Sequence, residues 1–433
     1  MSLFELPYAL ELTLENDAIA RPDGGVAIPI DGHDLLARVG AAGHLDFDSI
    51  RVLNFGNTLR DTPVQFVPDA DFDPVVRPRG MLWFRLYKYT WDDESFPRRF
   101  RVCFDRLRDG GKKPWTRAGL DQPGTPLTMN VRPDAVEIRR AGSADVAGEG
   151  PMLAFSFPPN RKPALHPLTT PGGAVVTETM PRDHAWHRGV WFGWTNLACD
   201  TLAVPGYIAW MEPHTAVVRD SGLSRLTSGP VMQAFTSDSI WCTPDGQPIL
   251  RASWRTEFQT IDAGWNWIDL TLTLSASRDG VTLGSDYGHL TARAAMDLRD
   301  TYMLDSACAD GQPLTAPSRE DVEIRWAGYA GTKPSGKPVC LLMLDHPSNP
   351  GRPLRDYFYE IRNFPIEQGA LFIAMSLNAL RGRPRPLPPD SPLTWRYRLV
   401  TSDRPLTPAF AEYHYANWST PWRATWTAAA PST

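Results

Sequence analysis

The chain has 433 residues, of which 42% are hydrophobic and 21% are charged, a composition typical of a folded globular protein. Its formal net charge of -5 argues against a nucleic-acid-binding surface, and no run of about 18 apolar residues is present to span a bilayer. We therefore expect neither nucleic acid nor a membrane as a partner.

Alternating apolar and polar residues predict β-strands from the start of the chain. This pattern occurs in YALELTLEND, GGVAIPI, SIRVLNFG, MLWFRLYKYTW and RRFRVCFD, and turn-forming stretches such as RPDGG separate the segments. Residues 106–125 are rich in Gly, Pro and charge and show no periodicity, which predicts a domain boundary. We expect a first β-sandwich domain over residues 1–110.

Strand patterns resume after this boundary, and WNWIDLTLTLSAS is the clearest of them. Helical periodicity is confined to ARAAMDLRD and TPAFAEYHYANW. The sequence therefore predicts an all-β fold of two β-sandwich-like domains, with a large C-terminal one over residues 126–415. Residues 416–433 are predicted to be a tail, disordered in its last part, TWTAAAPST.

The five cysteines are widely scattered and include no C-x-x-C pair. This distribution is typical of reduced thiols and predicts a cytoplasmic protein. The first residues, MSLFELPYALELTLEND, lack the pattern of a secretory signal peptide, which agrees with that expectation.

The segment PRDHAWHRGVWFGW, residues 181–194, is the strongest candidate for chemistry. It contains Asp183, His184, His187 and Arg188. Two of the nine histidines of the chain therefore lie only three positions apart. A loop can aim both imidazoles at one point, and Asp183 can fix the tautomer of one ring. We predict catalytic roles for Asp183, His184 and His187. The alternative is a loop that packs on the sheet and only satisfies backbone groups.

We predict that four aromatic residues form the walls of the pocket. They are Trp186 in the loop and Trp191, Phe192 and Trp194 after it. An imidazole in such surroundings is expected to titrate near neutrality or to bind a cation. We therefore expect His187 to be catalytic or metal-bound rather than structural.

Two further segments carry basic and acidic residues near His. The first is NRKPALHPLTTPGG, and the second, LMLDHPSNPGRP, lies where an apolar strand ends. SDYGHLTARAAMD adds His289 and Arg293 as weaker candidates. We expect residues 161–166, 183–188 and 345–349 to converge on one site. In it His346 is catalytic, and the predicted substrate-binding residues are Arg161, Lys162, His166, Arg188, Trp194, Asp345, Asn349 and Arg352.

The stretches RKPALHPLTTPGGAVVTETMPRDHAWHRGVWFGW, EDVEIRWAGYAG and LMLDHPSNPGRP resemble motifs of the PmoA-like family of domains of unknown function. The likeness covers about residues 126–405, and the first domain resembles the sandwich that often precedes such domains. The resemblance implies a protein of bacterial carbohydrate metabolism. The chain departs from the pattern at Ala164 and Ala185. The residues at motif positions are His166, Asp183, His184, His187, Arg188, Asp345, His346 and Asn349.

Two functions remain open from the sequence. The first is an enzyme, of lyase or glycoside hydrolase type, that acts on a saccharide or an oxidised keto sugar by His-centred acid/base chemistry. A divalent metal is one option for its cofactor, which is otherwise unknown. A retaining glycosidase would need two paired carboxyls, with Asp183, Glu212, Asp345 and Asp356 as candidates. The second function is non-catalytic sugar binding or scaffolding, in which tryptophans stack on the sugar.

Overall fold

The computed structural model describes residues 6–15, 24–54, 60–86, 98–107, 127–141, 150–204, 209–211, 217–261, 264–308, 318–319, 324–351, 357–362, 372–380, 382–420 and 422–429. Strands make up 58% of these residues and helices 6%, so the predicted all-β class is confirmed. Most of the predicted domain boundary, residues 108–125, lies outside the described residues.

The elements in the first part of the described chain are β1 (Tyr8–Glu15), β2 (Gly24–Asp31), α1 (Gly32–Arg38), β3 (Leu45–Asn54), β4 (Arg60–Thr62), β5 (Val64–Pro68), β6 (Arg79–Leu86) and β7 (Arg98–Arg106). Those in the middle part are β8 (Leu127–Val131), β9 (Ala135–Arg140), β10 (Leu153–Ser156), β11 (Ala164–Leu168), β12 (Val190–Phe192), β13 (Asn196–Cys199), β14 (Val217–Ser228), β15 (Gln233–Cys242), β16 (Pro248–Ile261), β17 (Trp265–Ala276), β18 (Val281–Gly284), β19 (Leu290–Arg293) and β20 (Arg299–Asp305). The last are β21 (Ser318–Arg319), β22 (Trp326–Thr332), β23 (Pro338–Asp345), β24 (Tyr357–Arg362), β25 (Phe372–Leu377), β26 (Arg385–Pro386), β27 (Leu393–Ser402), α2 (Pro408–Ser419) and β28 (Arg423–Ala428).

One compact unit consists of residues 1–127, 227–233 and 420–433. Its described strands form one sheet in the order β28-β1-β7-β3-β4 and another in the order β2-β6-β5. The period-two pattern of β1 places Leu10, Leu12 and Leu14 in the core, as the sequence predicts. The helix α1 was not predicted, because its seven residues are too few for a periodic pattern. Its N-terminus is capped by the carboxylate of Asp31, which accepts hydrogen bonds from two backbone N–H groups.

The second compact unit consists of residues 128–226 and 234–419. In its described part, the order β21-β24-β25-β19-β12-β11-β10-β9-β8 forms the front sheet, and β14-β15-β16-β17-β27-β23-β22-β20 forms the back sheet. The order β13-β18-β26 forms a smaller third sheet. Aromatic contacts join the front and back sheets, such as Phe155 with Phe235 and Phe192 with Trp254. The two sheets therefore enclose a common core.

The helical pattern in TPAFAEYHYANW was interpreted correctly, since α2 spans Pro408–Ser419. The helix predicted for ARAAMDLRD was wrong. Its first residues, Ala292 and Arg293, lie in β19 between β12 and β25, so they satisfy their backbone groups through strand pairing. Pairing on both sides outweighs the modest helix propensity of alanine. No helix in the described part of the chain is both long and apolar enough to cross a membrane.

The C-terminal segment was predicted to be disordered from residue 425, but residues 425–428 belong to β28. This strand pairs antiparallel with β1, with Trp426 opposite Leu12 and Ala424 opposite Leu14. Alternate residues therefore face inwards, and Trp422 and Trp426 pack against the core of their unit. The polar and small residues between them hid the strand pattern in the sequence.

We predict that removal of β28 destabilises the first unit. A chain ending after Thr420 loses the pairing with β1 and the contacts of two partly buried tryptophans, so we expect a loss of about 2–4 kcal/mol in unfolding free energy. Urea unfolding followed by circular dichroism measures it. A chain ending after Ala429 is the control and should unfold as the full chain does. Equal stability of the two truncated chains would contradict the prediction.

Acid sensitivity is expected from His289, which is fully buried between the sheets and accepts a hydrogen bond at Nδ1 from Trp194 Nε1 at 3.0 Å. Burial lowers the pKa of His289 to about 3. The unfolded chain binds this proton near pH 6.5, so the stabilisation by the neutral ring is complete above that pH and is lost as the pH falls.

We expect His289→Asn, which keeps an acceptor near the position of Nδ1, to reduce the loss of stability between pH 7 and pH 5 by about 2 kcal/mol. Urea unfolding at several pH values measures this difference. The matched control is His33→Asn, because the His33 side chain is exposed and changes its surroundings little on unfolding. An unchanged pH dependence in His289→Asn would show that this ring is not the source.

Candidate active site

The candidate site lies on the outer side of the front sheet, because β12 sends successive side chains to opposite faces. Phe192 points inwards, and its ring lies 4.7 Å from that of Trp254 in the back sheet. Trp191 therefore points outwards, where its ring contacts His187 at 4.9 Å and Trp210 at 5.7 Å. One strand thus supplies both the core between the sheets and the floor of the site.

The loop before β12 has a defined backbone conformation. The His187 N–H donates to the His184 carbonyl at 2.9 Å, and the Gly189 N–H donates to the Glu178 carbonyl at 2.8 Å. Gly189 has a φ of 67°, and a Cβ built on it would lie 2.2 Å from the carbonyl oxygen of Leu165. Both its conformation and its surroundings therefore require glycine. This geometry brings the two histidines onto one side, as the sequence predicts.

Asp183 is held by two partners. Arg293 donates from Nη1 and Nη2 to the two carboxylate oxygens at 2.9 and 3.1 Å, and the Arg293 side chain is 1% exposed. His184 Nδ1 lies 2.7 Å from Asp183 Oδ2. Burial opposes ionisation of Asp183, but the hydrogen bond from His184 and the charge of Arg293 outweigh it and lower its pKa. Asp183 is therefore an anion, and it accepts a hydrogen bond from the Nδ1–H group of His184.

The two histidines have different surroundings. Their rings stack with centroids 4.7 Å apart, but the His184 side chain is 21% exposed whereas His187 is 4% exposed. Burial, together with the nearby charges of Arg293, His184 and Lys162, lowers the pKa of His187 well below its ordinary value. The expectation that His187 titrates near neutrality was therefore wrong, because the aromatic walls exclude water from it.

Lys162 was predicted to bind substrate from a turn-rich segment, and in the structure it is 1% exposed. Its Nζ donates to the carbonyl oxygens of Trp186 at 2.8 Å and Trp210 at 2.5 Å. The ammonium also lies over the rings of Trp191 and Trp210, at 5.3 and 5.7 Å from their centroids. Lys162 therefore ties two loop segments to the outer face of the sheet.

The other residues predicted near this loop lie around its edge. His166 belongs to β11, and its Nδ1 lies 3.0 Å from Thr177 Oγ1. Burial lowers its pKa, and the charge of Glu178 opposes this effect. Arg161 is exposed and its Nη1 lies 4.0 Å from Met180 Sδ. Arg188 is 9% exposed and pairs through its backbone with Thr179.

Asp345, His346 and Asn349 do not join this site, so the predicted convergence of the three segments was wrong. Asn349 Nδ2 donates to Asp345 Oδ1 and to the Arg396 carbonyl, both at 2.7 Å, which closes a turn onto β27. The ring of His346 packs 4.9 Å from that of Trp418 in α2. That helix covers the outer side of the back sheet, where His414 accepts a hydrogen bond from Trp267, so His346 lies on the far side of the core from the dyad. Asp345 ends β23 in the back sheet, opposite Tyr397.

Two further predicted contacts with substrate have different outcomes. Trp194 is 0% exposed, and it packs against Trp241 of the back sheet and donates to His289, so it belongs to the core. Phe192, predicted as a wall of the pocket, is in the core for the same reason. Arg352 lies outside the described residues, as do the candidate carboxylates Glu212 and Asp356.

Four residues of the site were missed or ranked too low from the sequence. Arg293 was only a weak candidate because it lies within an alanine-rich stretch, ARAAMDLRD, that looks helical. Glu178 interacts electrostatically with both His166 and Arg293. Trp210 and Tyr287 contact each other with ring centroids 6.3 Å apart. The available signal was the aromatic character of GYIAWM and SDYGH, two segments without strand periodicity.

The described residues contain no group of three or more His, Cys, Asp and Glu side chains arranged to hold a metal ion. Within the site itself, both oxygens of Asp183 accept hydrogen bonds from Arg293, and one also accepts from His184. The described geometry therefore suits proton transfer through His184 better than metal binding by this cluster.

Residues 146–416, more than half of the chain, match the sequence profile of a family of unknown function, DUF6807. The chain belongs to this family. The PmoA-like resemblance expected from the motifs was wrong.

No curated protein sequence matches this chain. An alpha-mannosidase from Enterococcus faecalis V583 matches at 11% identity and a TM-score of 0.39, covering 99% of this chain and 47% of its own. The chain thus spans about half the length of that protein. A provisionally assigned mutarotase from Salmonella typhimurium matches at 9% identity and a TM-score of 0.28, covering 66% of this chain and 96% of its own. Neither likeness is close enough to assign an activity to a DUF6807 protein.

We predict that Lys162→Met destabilises the protein by about 2–4 kcal/mol, because two buried carbonyl groups lose their donor. Urea unfolding followed by tryptophan fluorescence measures the change. The matched control is Lys337→Met, because the Lys337 side chain pairs with Asp403 and is 40% exposed, so its loss should cost less than about 1 kcal/mol. If both variants unfold alike, Lys162 does not have the structural role assigned to it.

Proposed function

We propose that this DUF6807 protein is a carbohydrate-active enzyme of lyase type, which removes a proton next to the carbonyl group of an oxidised sugar. The observation that carries the proposal is the arrangement of Arg293, Asp183 and His184 beside a cluster of aromatic rings. It combines a fixed anion, an oriented imidazole and an apolar surface on one face of the front sheet.

The acid/base step follows from the hydrogen bond between Asp183 and His184. With its proton on Nδ1, the His184 ring presents a lone pair at Nε2, which accepts a proton from the sugar carbon. The electron pair left on that carbon moves to the carbonyl oxygen and forms an enolate. Asp183 then stabilises the imidazolium, as carboxylates do in other acid/base dyads. The enolate then re-forms the carbonyl group, and its electron pair makes a C=C bond to the adjacent ring carbon. The C–O bond on that adjacent carbon breaks, and His184 gives the proton to the oxygen that leaves.

The aromatic surroundings favour a sugar as the substrate. The ring of Trp186 lies 5.0 Å from that of His184 in an edge-to-face arrangement, and its side chain is only partly buried. The C–H groups on one face of a pyranose ring pack well on an indole, while its hydroxyl groups remain available to polar neighbours. Such packing would place a sugar carbon within reach of His184.

A retaining glycosidase mechanism fits the described residues less well. It requires one carboxylate that is open to attack the sugar and a second that protonates the leaving group. Asp183 is occupied by Arg293 through both oxygens, so its lone pairs are directed away from a substrate. The dyad therefore supports His184 as the reacting group and Asp183 as the residue that orients it.

Non-catalytic sugar binding is the second candidate, and the exposure of Tyr287 favours it. This side chain is 40% exposed and extends the aromatic surface beyond the dyad. Binding without turnover would use the same face of the front sheet. The two functions differ in whether His184 exchanges a proton with the ligand.

The test is proton exchange in deuterium oxide. We expect the protein to incorporate deuterium next to the carbonyl group of keto forms of glucosides, galactosides or mannosides, and mass spectrometry measures the uptake. His184→Gln removes the base and should reduce the rate by about 10²–10⁴. His346→Gln is the matched control, because that ring packs against Trp418, and it should retain the full rate.

The outcomes separate the candidates. Binding of these sugars without deuterium uptake would contradict the enzymatic proposal and favour sugar binding. Equal losses of activity in His184→Gln and His346→Gln would contradict the assignment of the site to the outer face of the front sheet. Thermal unfolding of both variants checks that the loss in His184→Gln does not come from unfolding.

A further inference from the structure

Exposed apolar side chains are concentrated at the candidate site. Among the described residues, the large hydrophobic side chains that are exposed are Val76, Val131, Met180 and Tyr287. Met180 begins the loop that carries the dyad, and its N–H donates to the His187 carbonyl at 2.7 Å. Tyr287 contacts Trp210. Two of the four thus lie at the edges of one small surface, where contact with water is unfavourable unless a ligand covers them.

Met180 has a second unusual property. Its φ is 50°, in the left-handed region that side chains other than glycine and asparagine seldom adopt. Strained backbone of this kind persists where the surrounding structure imposes it, often at ligand sites. The edge of the site next to the dyad is therefore fixed in conformation and apolar at the same time.

A continuous series of ring contacts leads from the dyad to Tyr287. The centroid distances are 4.7 Å from His184 to His187, 4.9 Å on to Trp191, 5.7 Å on to Trp210 and 6.3 Å on to Tyr287. The middle members are buried, so they hold the two ends in place. Tyr287 and the partly buried Trp186 present aromatic surface at the two ends of the series.

Two glycines leave room for the ring of Trp210 in this series of contacts. A Cβ on Gly288 would lie 2.3 Å from the Trp210 ring, and one on Gly193 would lie 3.1 Å from it. A side chain at position 288 would therefore displace the indole on which Tyr287 rests. The position of Tyr287 therefore depends on the close approach between Gly288 and the Trp210 ring.

The two ends of the site are separated along β12. The dyad loop joins the strand at Gly189, whereas the segment containing Tyr287 meets its other end, where the Gly193 N–H donates to the His289 carbonyl at 3.1 Å. The rings of His187 and Trp210 also contact each other directly, with centroids 6.4 Å apart. Three consecutive ring contacts, of 4.7, 6.4 and 6.3 Å, therefore lead from His184 to Tyr287. Two linked sugar rings extend along such a surface from one end to the other better than one ring does.

We propose that the site binds a saccharide of at least two rings, the first beside His184 and Trp186 and the second on Tyr287. This inference rests on the proposed function, since it assumes that the site binds sugars. Tyr287 is a specificity-determining residue in this arrangement. It favours disaccharides and longer chains over monosaccharides without taking part in the proton transfer.

The experiment compares ligands of one and two rings by tryptophan fluorescence titration of the full chain. The one-ring probes are the methyl glycosides of glucose, galactose and mannose in both anomers. The two-ring probes are disaccharides that contain each of these sugars. We expect at least one disaccharide to bind about tenfold more tightly than the corresponding methyl glycoside, as one stacking contact provides.

Tyr287→Ala should abolish this preference and leave the affinity for the methyl glycoside unchanged, whereas Tyr287→Phe should retain it. Val131→Ala, which removes an exposed apolar side chain of the same unit elsewhere, is the matched control and should keep the preference. If the protein binds both kinds of sugar equally, or if Tyr287→Ala keeps the preference, the two-ring inference is wrong although the proposed function stands. If it binds no sugar of either kind, the two-ring inference and the non-catalytic alternative are both wrong, and deuterium exchange on keto sugars decides the enzymatic proposal separately.

Discussion

The candidate site depends on the burial of one guanidinium group. Arg293 lies in β19 with 1% of its side chain exposed, and a charge so far from water is costly unless an anion is close by. Asp183 supplies that anion from a loop 110 residues earlier in the sequence. Since both carboxylate oxygens are bound, the loop has little freedom, and the orientation of His184 follows from it. The chemistry proposed for His184 is therefore set by the need to pair a buried charge on the outer face of the front sheet.

Successive side chains of β12 point to opposite faces of the front sheet, so aromatic residues that are neighbours in the sequence have different roles. In VWFGW, Phe192 and Trp194 join the core between the sheets, while Trp191 supports the outer face. Burial of the inward residues stabilises the strand, and the same strand then holds the floor of the site rigid. A shift of one residue in the pairing of β12 with β19 would exchange these faces, so the register fixes both the stability and the site.

Much of the fold could be predicted from periodicity, but contacts between distant segments could not. The alternating pattern of WNWIDLTLTLSAS predicts a strand, and this segment forms β17, because burial of its alternate residues stabilises a strand. The contact between Asp183 and His184 was also predictable, since adjacent residues in a loop need no long-range information. The place of His346 was not, because a strand end looks alike in either sheet. Its position on the far side of the core depends on which sheet β23 joins.

The proposed mechanism needs one histidine of the stacked pair to carry a proton and the other to stay neutral. Two imidazolium rings 4.7 Å apart would repel each other strongly in surroundings that contain little water. Burial and the positive charges of Arg293 and Lys162 lower the pKa of His187, so in the proposed mechanism this ring stays neutral and adds no charge when His184 takes up a proton. The neutral ring still offers its face for stacking and excludes water from one side. In the proposed step His187 therefore contributes by remaining uncharged, and the change of charge is confined to the ring that contacts Asp183.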